Sequence, residues 1–110
     1  MPEGSWLVSK IKKEEYDNTF YKLRGADNNA VGGGECVVVF KRKSQGMKDK
    51  QLHKIWALAD NKKKGKLDHE QFAVAMYLIE AALDGHEVPD KLPRALVPPS
   101  QRDWDSGFKT

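Results

Sequence analysis

A chain of 110 residues with 39% hydrophobic residues, 32% charged residues and a mean hydropathy of -0.70 has room for one small domain with a modest core. No apolar run approaches the ~20 residues that span a bilayer, and no signal-peptide core is visible. The single cysteine, Cys36, excludes an internal disulfide and suits a reducing, cytosolic setting, where it reads as a small buried apolar residue. The net charge of +3 conceals an uneven distribution: ten of the nineteen basic residues lie between Lys41 and Lys66, with only Asp49 and Asp60 against them. Such a run is either a solvated face or a surface that attracts acidic peptides or anionic lipid headgroups.

Met1 to Ser5 read as a linker or an expression remnant. Between Glu14 and Leu23, the apolar residues Tyr16, Phe20 and Leu23 recur at i, i+4, i+7, which predicts a first amphipathic helix. The turn-rich run Arg24 to Asn29 and the glycines Gly32, Gly33 and Gly34 follow. Cys36-Val37-Val38-Val39-Phe40 has strand propensity. No second strong strand exists to pair with it, and a lone strand leaves its backbone groups without partners. A second helix from about Glu35 to Ser44 is therefore expected. Asp49 is placed to cap a third helix, on which Leu52, Ile55, Trp56 and Ala59 form one stripe. Asp68 precedes a fourth, with Gln71 in capping-box position and Phe72, Met76, Ile79 and Leu83 along its buried face. Ala73, Ala75 and Ala82 allow close helix approach, and Asp84-Gly85 supplies the stop. Beyond His86, apolar residues alternate with prolines (Val88-Pro89, Leu92-Pro93, Leu96-Val97-Pro98-Pro99), which forbids further helix. Residues Gln101 to Thr110 read as a mobile tail, and Asp103 to Phe108 within it as a linker or an acidic-aromatic short motif.

Between the third and fourth helices, Asp60 to Gln71 is an EF-hand loop in outline: twelve residues, Gly65 at position six, Leu67 at position eight and helices on both sides. Val31, inside the loop between the first two helices, is the natural antiparallel partner of Leu67. The calcium donors are mostly gone. Asp60 and Asp68 stand at positions 1 and 9, but Lys62 and Lys64 replace donors at 3 and 5, and Gln71 replaces the bidentate carboxylate at 12. The first loop has Arg24, Ala26 and Asn28 at positions 1, 3 and 5, although Glu35 falls at 12. Neither loop is expected to bind calcium, and no cofactor is implied.

Leu52 to Asp60, then Gly65-Lys66-Leu67-Asp68, then Gln71 to Met76, resemble the signature of EH (Eps15 homology) domains. The opening Trp6-Leu7-Val8-Ser9 with Tyr16-Asp17 and Phe20, and the tail Leu92-Pro93 with Leu96 to Ser100, are similar to the family's two ends. The resemblance covers roughly Trp6 to Arg102, leaving 1–5 and 103–110 as flanks. It implies an all-α fold: two helix-loop-helix EF-hand units, a short two-stranded antiparallel bridge between their loops, and a proline-rich C-terminal segment packed on the helices. It also implies a protein-interaction module of endocytosis and vesicle trafficking. A hydrophobic pocket between helices two and three would hold Asn-Pro-Phe peptides of trafficking proteins, and the setting would be cytoplasmic, at the plasma membrane, coated pits or endosomes.

The family's pocket tryptophan transfers onto Trp56 and its leucine onto Leu52, which share one helix face at i, i+4. The same resemblance makes Val38 with Lys41 or Arg42 the far wall, and makes Lys54 the lysine that in some relatives favours acidic residues after the tripeptide, or phosphoinositides. This chain departs from the family pattern at His53, at Gly46-Met47-Lys48, and by one extra residue near Gln45. His53, His69 and His86 have no metal-ligand spacing, and no nucleophile-base pair or phosphate loop points to an enzyme. The basic run matches no nucleic-acid fold. A monomeric peptide-binding adaptor module is the expectation, with an anionic-membrane-binding domain and a calcium sensor as alternatives.

Overall fold

The computed structural model describes residues 8–24, 30–45, 47–60, 63–93 and 96–97. Its elements are α1 (Lys10–Arg24), β1 (Val31–Gly32), α2 (Gly33–Ser44), α3 (Asp49–Ala59), β2 (Lys66–Leu67) and α4 (His69–Leu83). The sequence expectations for Trp6, Leu7, the tail and the first-loop positions Ala26 and Asn28 fall outside the described residues, as do Gly46 and Lys62.

Helix α1 begins four residues before the apolar pattern does, because Ser9 caps it. The Ser9 hydroxyl oxygen accepts from the Lys12 amide at 3.2 Å, and its carbonyl accepts from Lys13 at 2.8 Å. Tyr16 and Phe20 are buried from the face that their spacing marked. The valine run is helical, as the missing strand partner required. Cys36 and Phe40, at i and i+4, turn into the core together with Ser44. Helix α2 starts at Gly33, two residues ahead of expectation, because the Gly33 amide donates to the Gly65 carbonyl of the other loop at 3.1 Å. The two loops are joined by Val31 opposite Leu67 and Gly32 opposite Lys66, antiparallel, with both apolar side chains buried.

Helix α4 is buried nearly all round, from Phe72 through Ile79, because α1, α2 and α3 all pack on it. Phe72 sits between Phe20 and Phe40, with ring centroids 5.7 and 5.8 Å away. Its N-terminus is a complete capping box: Asp68 Oδ1 accepts from the Gln71 amide at 2.8 Å, and Gln71 Oε1 accepts from the Asp68 amide at 3.0 Å. It ends in a Schellman turn, with Gly85 at φ +100° and the His86 amide donating to the Ala81 carbonyl at 3.0 Å.

Two sequence expectations are corrected. Asp49 does not cap α3; the cap is Lys48, whose carbonyl accepts from the Gln51 and Leu52 amides at 3.0 and 3.2 Å. Asp49 is the first helical residue, where the helix dipole still favours a carboxylate. Leu83 is 50% exposed rather than buried, because it lies in the last turn of α4. Downstream, Val88 and Leu96 are buried and Leu92 packs against the core, so the proline-rich segment lies on the helices.

Glu80 ties three helices together. It accepts from the Tyr16 hydroxyl at 2.8 Å and pairs with Lys43 at 2.9 Å and Lys12 at 3.5 Å. Burial works to raise the Glu80 pKa, but the hydrogen bonds from Lys43 and Tyr16 and the charges of Lys43 and Lys12 outweigh it and hold the carboxyl below its ordinary 4.5. A depressed carboxyl adds stability that is complete above the unfolded value and is lost as pH falls through the folded one. Glu80→Gln should therefore destabilise the domain at pH 7, and that deficit should shrink below about pH 4.5. Urea midpoints of both proteins between pH 3 and pH 7 are the check, and a deficit independent of pH would refute it.

Candidate functional site

A groove of about 280 Å³ lies between helices α2 and α3. One wall is the α2 face Gly33, Val37, Phe40 and Lys41, spaced i, i+4, i+7, i+8; the other is the α3 face Asp49, Leu52, His53 and Trp56, spaced i, i+3, i+4, i+7. Both are single helix faces. At the low end of the ~300–1,000 Å³ of ligand sites, the groove suits one aromatic side chain and a tight turn rather than a long ligand.

Trp56 is half-buried on the α3 wall. Its six-membered ring lies over the start of α2: a methyl group placed on Gly33 would stand 3.5 Å from Cη2 and 3.6 Å from Cζ2. The Gly33 amide also donates to the Gly65 carbonyl, which ties this end of the α2 wall to the second loop. Leu52 and Phe40 are buried beneath, and Val37 is 42% exposed at the edge. The apolar part therefore lies around Gly33, Val37, Phe40, Leu52 and Trp56. The charged part, Lys41 and Asp49, lies at the end where the helices connect.

Of the residues singled out from sequence, the groove brings together Leu52, Trp56, His53 and Lys41. It does not include Val38 or Lys54. Val38 is 56% exposed, and one residue of helix turns a side chain by about 100°, so its neighbour Val37 faces the groove instead. Lys54 is two residues from both Leu52 and Trp56, which puts it about 160° around the helix from each. It points away and pairs with Asp90 of the C-terminal segment at 2.6 Å. The Asp90 carboxyl is held below its usual value, first by that hydrogen bond and then by the Lys54 charge. Gly33, Val37, Phe40 and Asp49 were missed. The signal for three of them was the i, i+4, i+7 spacing of Gly33, Val37 and Phe40, of which Gly33 lay outside the helix expected from about Glu35.

The second EF-hand loop has redirected its oxygens. Asp60 is buried, and its two carboxylate oxygens accept from the Lys64 amide at 2.9 Å and the Gly65 amide at 2.8 Å. Lys63 at φ +55° and Gly65 at φ +77° make the bend that brings these amides round. Asp68 and Gln71 are committed to each other in the capping box. Lys64 is exposed, and no group of three His, Cys, Asp or Glu residues suited to a metal occurs among the described residues. The donor set does not fit calcium. Millimolar calcium should give no saturable amide shifts over Asp60 to Gln71 by NMR; a saturable set centred there would overturn this account.

The remaining candidates have structural surroundings. Cys36 is buried with its thiol 3.7 Å from the Val31 carbonyl, and burial, with a smaller part from Glu35, pushes the thiol up to about 12. His69 Nδ1 lies 2.8 Å from Lys13 Nζ, beside Asp17, and His86 is exposed.

Two EF-hand units joined loop to loop, with an aromatic-walled groove between the second and third helices, define a paired-EF-hand interaction module. Comparison with known families narrows this: the EH domain profile matches residues 8–106, and the chain belongs to the EH domain family, whose members are protein-interaction modules. Actin cytoskeleton-regulatory complex protein PAN1 of Chaetomium globosum is 37% identical over 96% of this chain, and its Neurospora crassa counterpart is 40% identical over 94%. The chain spans about 7% of the length of each. Among solved structures, the second EH domain of AtEH1/Pan1 superposes with a TM-score of 0.74 at 20% identity, covering 87% of this chain and 89% of that one, a likeness of fold.

Proposed function

We propose that the groove between α2 and α3 binds Asn-Pro-Phe peptides, and that the domain thereby serves as a non-catalytic recruiting module of endocytosis and vesicle trafficking. The observation that carries this is the open apolar groove with the Trp56 indole as its wall, sized for one aromatic side chain. A peptide Phe would enter beside Trp56, with Leu52 and Phe40 beneath it, and the preceding Pro would pre-set the turn and lower the ordering cost. Membership in the EH family supports the same reading. The names of the PAN1 relatives favour a parent protein working on the actin cytoskeleton, with the domain cytoplasmic beside the plasma membrane or endosomes. No described helix is long and apolar enough to cross a membrane.

The test is an NMR titration with an Asn-Pro-Phe peptide and an Asn-Pro-Ala control. Saturable shifts on Trp56, Leu52 and Val37 with the first peptide alone are expected; equal response to both would sink the assignment. A phosphoinositide-binding role has its own support in the exposed lysines Lys48, Lys50, Lys63, Lys64 and Lys66. Co-sedimentation with phosphoinositide vesicles separates it from peptide binding.

A further inference from the structure

One side chain lining the groove belongs to a type that changes charge near neutral pH. His53 stands on the α3 wall, one turn after Asp49 and three residues before Trp56, so the three share a helix face. It is also a position at which this chain departs from the family pattern. The imidazole is exposed, and no carboxylate of the described residues lies within ion-pairing distance of it. Its charged surroundings are Asp49 and Lys50 on its own helix, Lys41 on the α2 wall and Lys48 in the connection. Lys54 follows it in the chain but is occupied by Asp90 at 2.6 Å. The other two histidines are elsewhere, His69 at the start of α4 beside Lys13 and His86 beyond its end. Among side chains of ordinary acidity, only imidazole changes charge between pH 5 and pH 8.

We propose that His53 makes ligand capture by this groove pH-dependent: an uncharged aromatic peptide is held while the imidazole is neutral and is released as it takes up a proton. This rests on the peptide-binding reading above and adds a proton to it. A ligand seated between the walls takes water from the side of His53 that lines the groove. A neutral imidazole loses that water at little cost and presents an amphipathic ring to the entering side chain. An imidazolium loses it at a much larger cost. Asp49 acts in the opposite sense, because its carboxylate attracts the cation. An exposed pair one turn apart on a helix is weak, however, and taking water from such a pair costs more than the closer attraction returns. Lys41 across the groove and Lys50 on the same helix both repel the cation. The occupied groove therefore disfavours the proton. Linkage is reciprocal, so the proton disfavours the ligand. Affinity falls as pH drops through the imidazole titration and levels off once the ring is charged in both states.

The test is calorimetry on the whole chain at pH 7.5 and pH 5.5, with an acetylated and amidated Ser-Asn-Pro-Phe-Ser peptide that has no titratable group of its own. The unmodified protein should bind about three- to ten-fold more weakly at pH 5.5, the scale of one proton displaced from one partly covered group. His53→Gln, uncharged at both pH values, should bind alike at both, close to the unmodified protein at pH 7.5. His86→Gln should keep the full loss. Both histidines are exposed, so these replacements test recognition rather than folding. Followed by NMR, the His53 ring proton should titrate at lower pH with saturating peptide than without it. Equal affinity at the two pH values, tighter binding at pH 5.5, or a loss that survives in His53→Gln would each overturn the assignment to His53 while the groove stands. A His53→Gln protein that binds no peptide at pH 7.5 would make the ring an obligatory contact and not a switch. If the unmodified protein binds no peptide at either pH, both this inference and the peptide-binding reading fail.

Discussion

Trp56→Ala should abolish Asn-Pro-Phe binding and leave a folded domain. The side chain is half-buried, packed in part against the core and near Gly33, and its remaining surface lines the groove, where a ligand can meet it. Ile55 and Ala59, on the adjacent face of α3, hold the helix to the core and are buried without it. An aromatic anchor in a desolvated pocket commonly carries ~2–4 kcal/mol of binding, or roughly 30- to 700-fold in affinity. A tripeptide-sized ligand has little else to offset that. The stability loss should stay below the ~3–5 kcal/mol of a fully buried aromatic truncation. A thermal melt paired with the peptide titration reads both quantities. A folded variant that binds normally would remove Trp56 from the site. A variant that unfolds would show that the side chain belongs to the core, and Trp56→Phe would then report on the groove.

The largest effect on the fold is expected at Phe72. Its ring is fully buried between Phe20 of α1 and Phe40 of α2, so one side chain on α4 joins three helices. Phe72→Ala deletes that contact and leaves a cavity that rigid helices can only partly close. The cost should be ~3–5 kcal/mol, a large share of the ~5–15 kcal/mol that small domains possess. Because Phe40 also lines the groove, peptide affinity should fall with stability even where the domain remains folded. Urea denaturation followed by circular dichroism measures the first effect. Phe72→Leu, which keeps most of the volume, should cost much less. A loss under ~1 kcal/mol for alanine would mean that the three-ring cluster is not the centre of the core.

Much of this domain was legible in the sequence because its signals are local. The spacing of Tyr16 and Phe20, the Asp68–Gln71 capping pair, the loop glycine Gly65 and the matched positions Val31 and Leu67 each act within a few residues, and the structure realises them. Leu52 and Trp56 shared a wall of the groove for the same reason: i, i+4 spacing is enough to align them. What the tertiary structure decided is how each helix is rotated and what lies opposite it. The start of α2 is tied by a hydrogen bond to Gly65 across the domain, and the burial of Cys36, Phe40 and Ser44 in the core sets the rotation that brings Val37 and not Val38 to the groove. The helical state of the valine run was already required by its missing strand partner; what the tertiary structure added is the Phe72 ring, which Phe40 meets in the core. Lys54 is a lysine beside a binding motif in the sequence; only the return of the C-terminal segment, bringing Asp90 to 2.6 Å, makes it a structural pair. Periodicity within a helix tells which residues share a face. Which way that face points depends on contacts between residues far apart in the chain, and a shift of one residue, about 100° of rotation, is enough to exchange a binding surface for a solvated one.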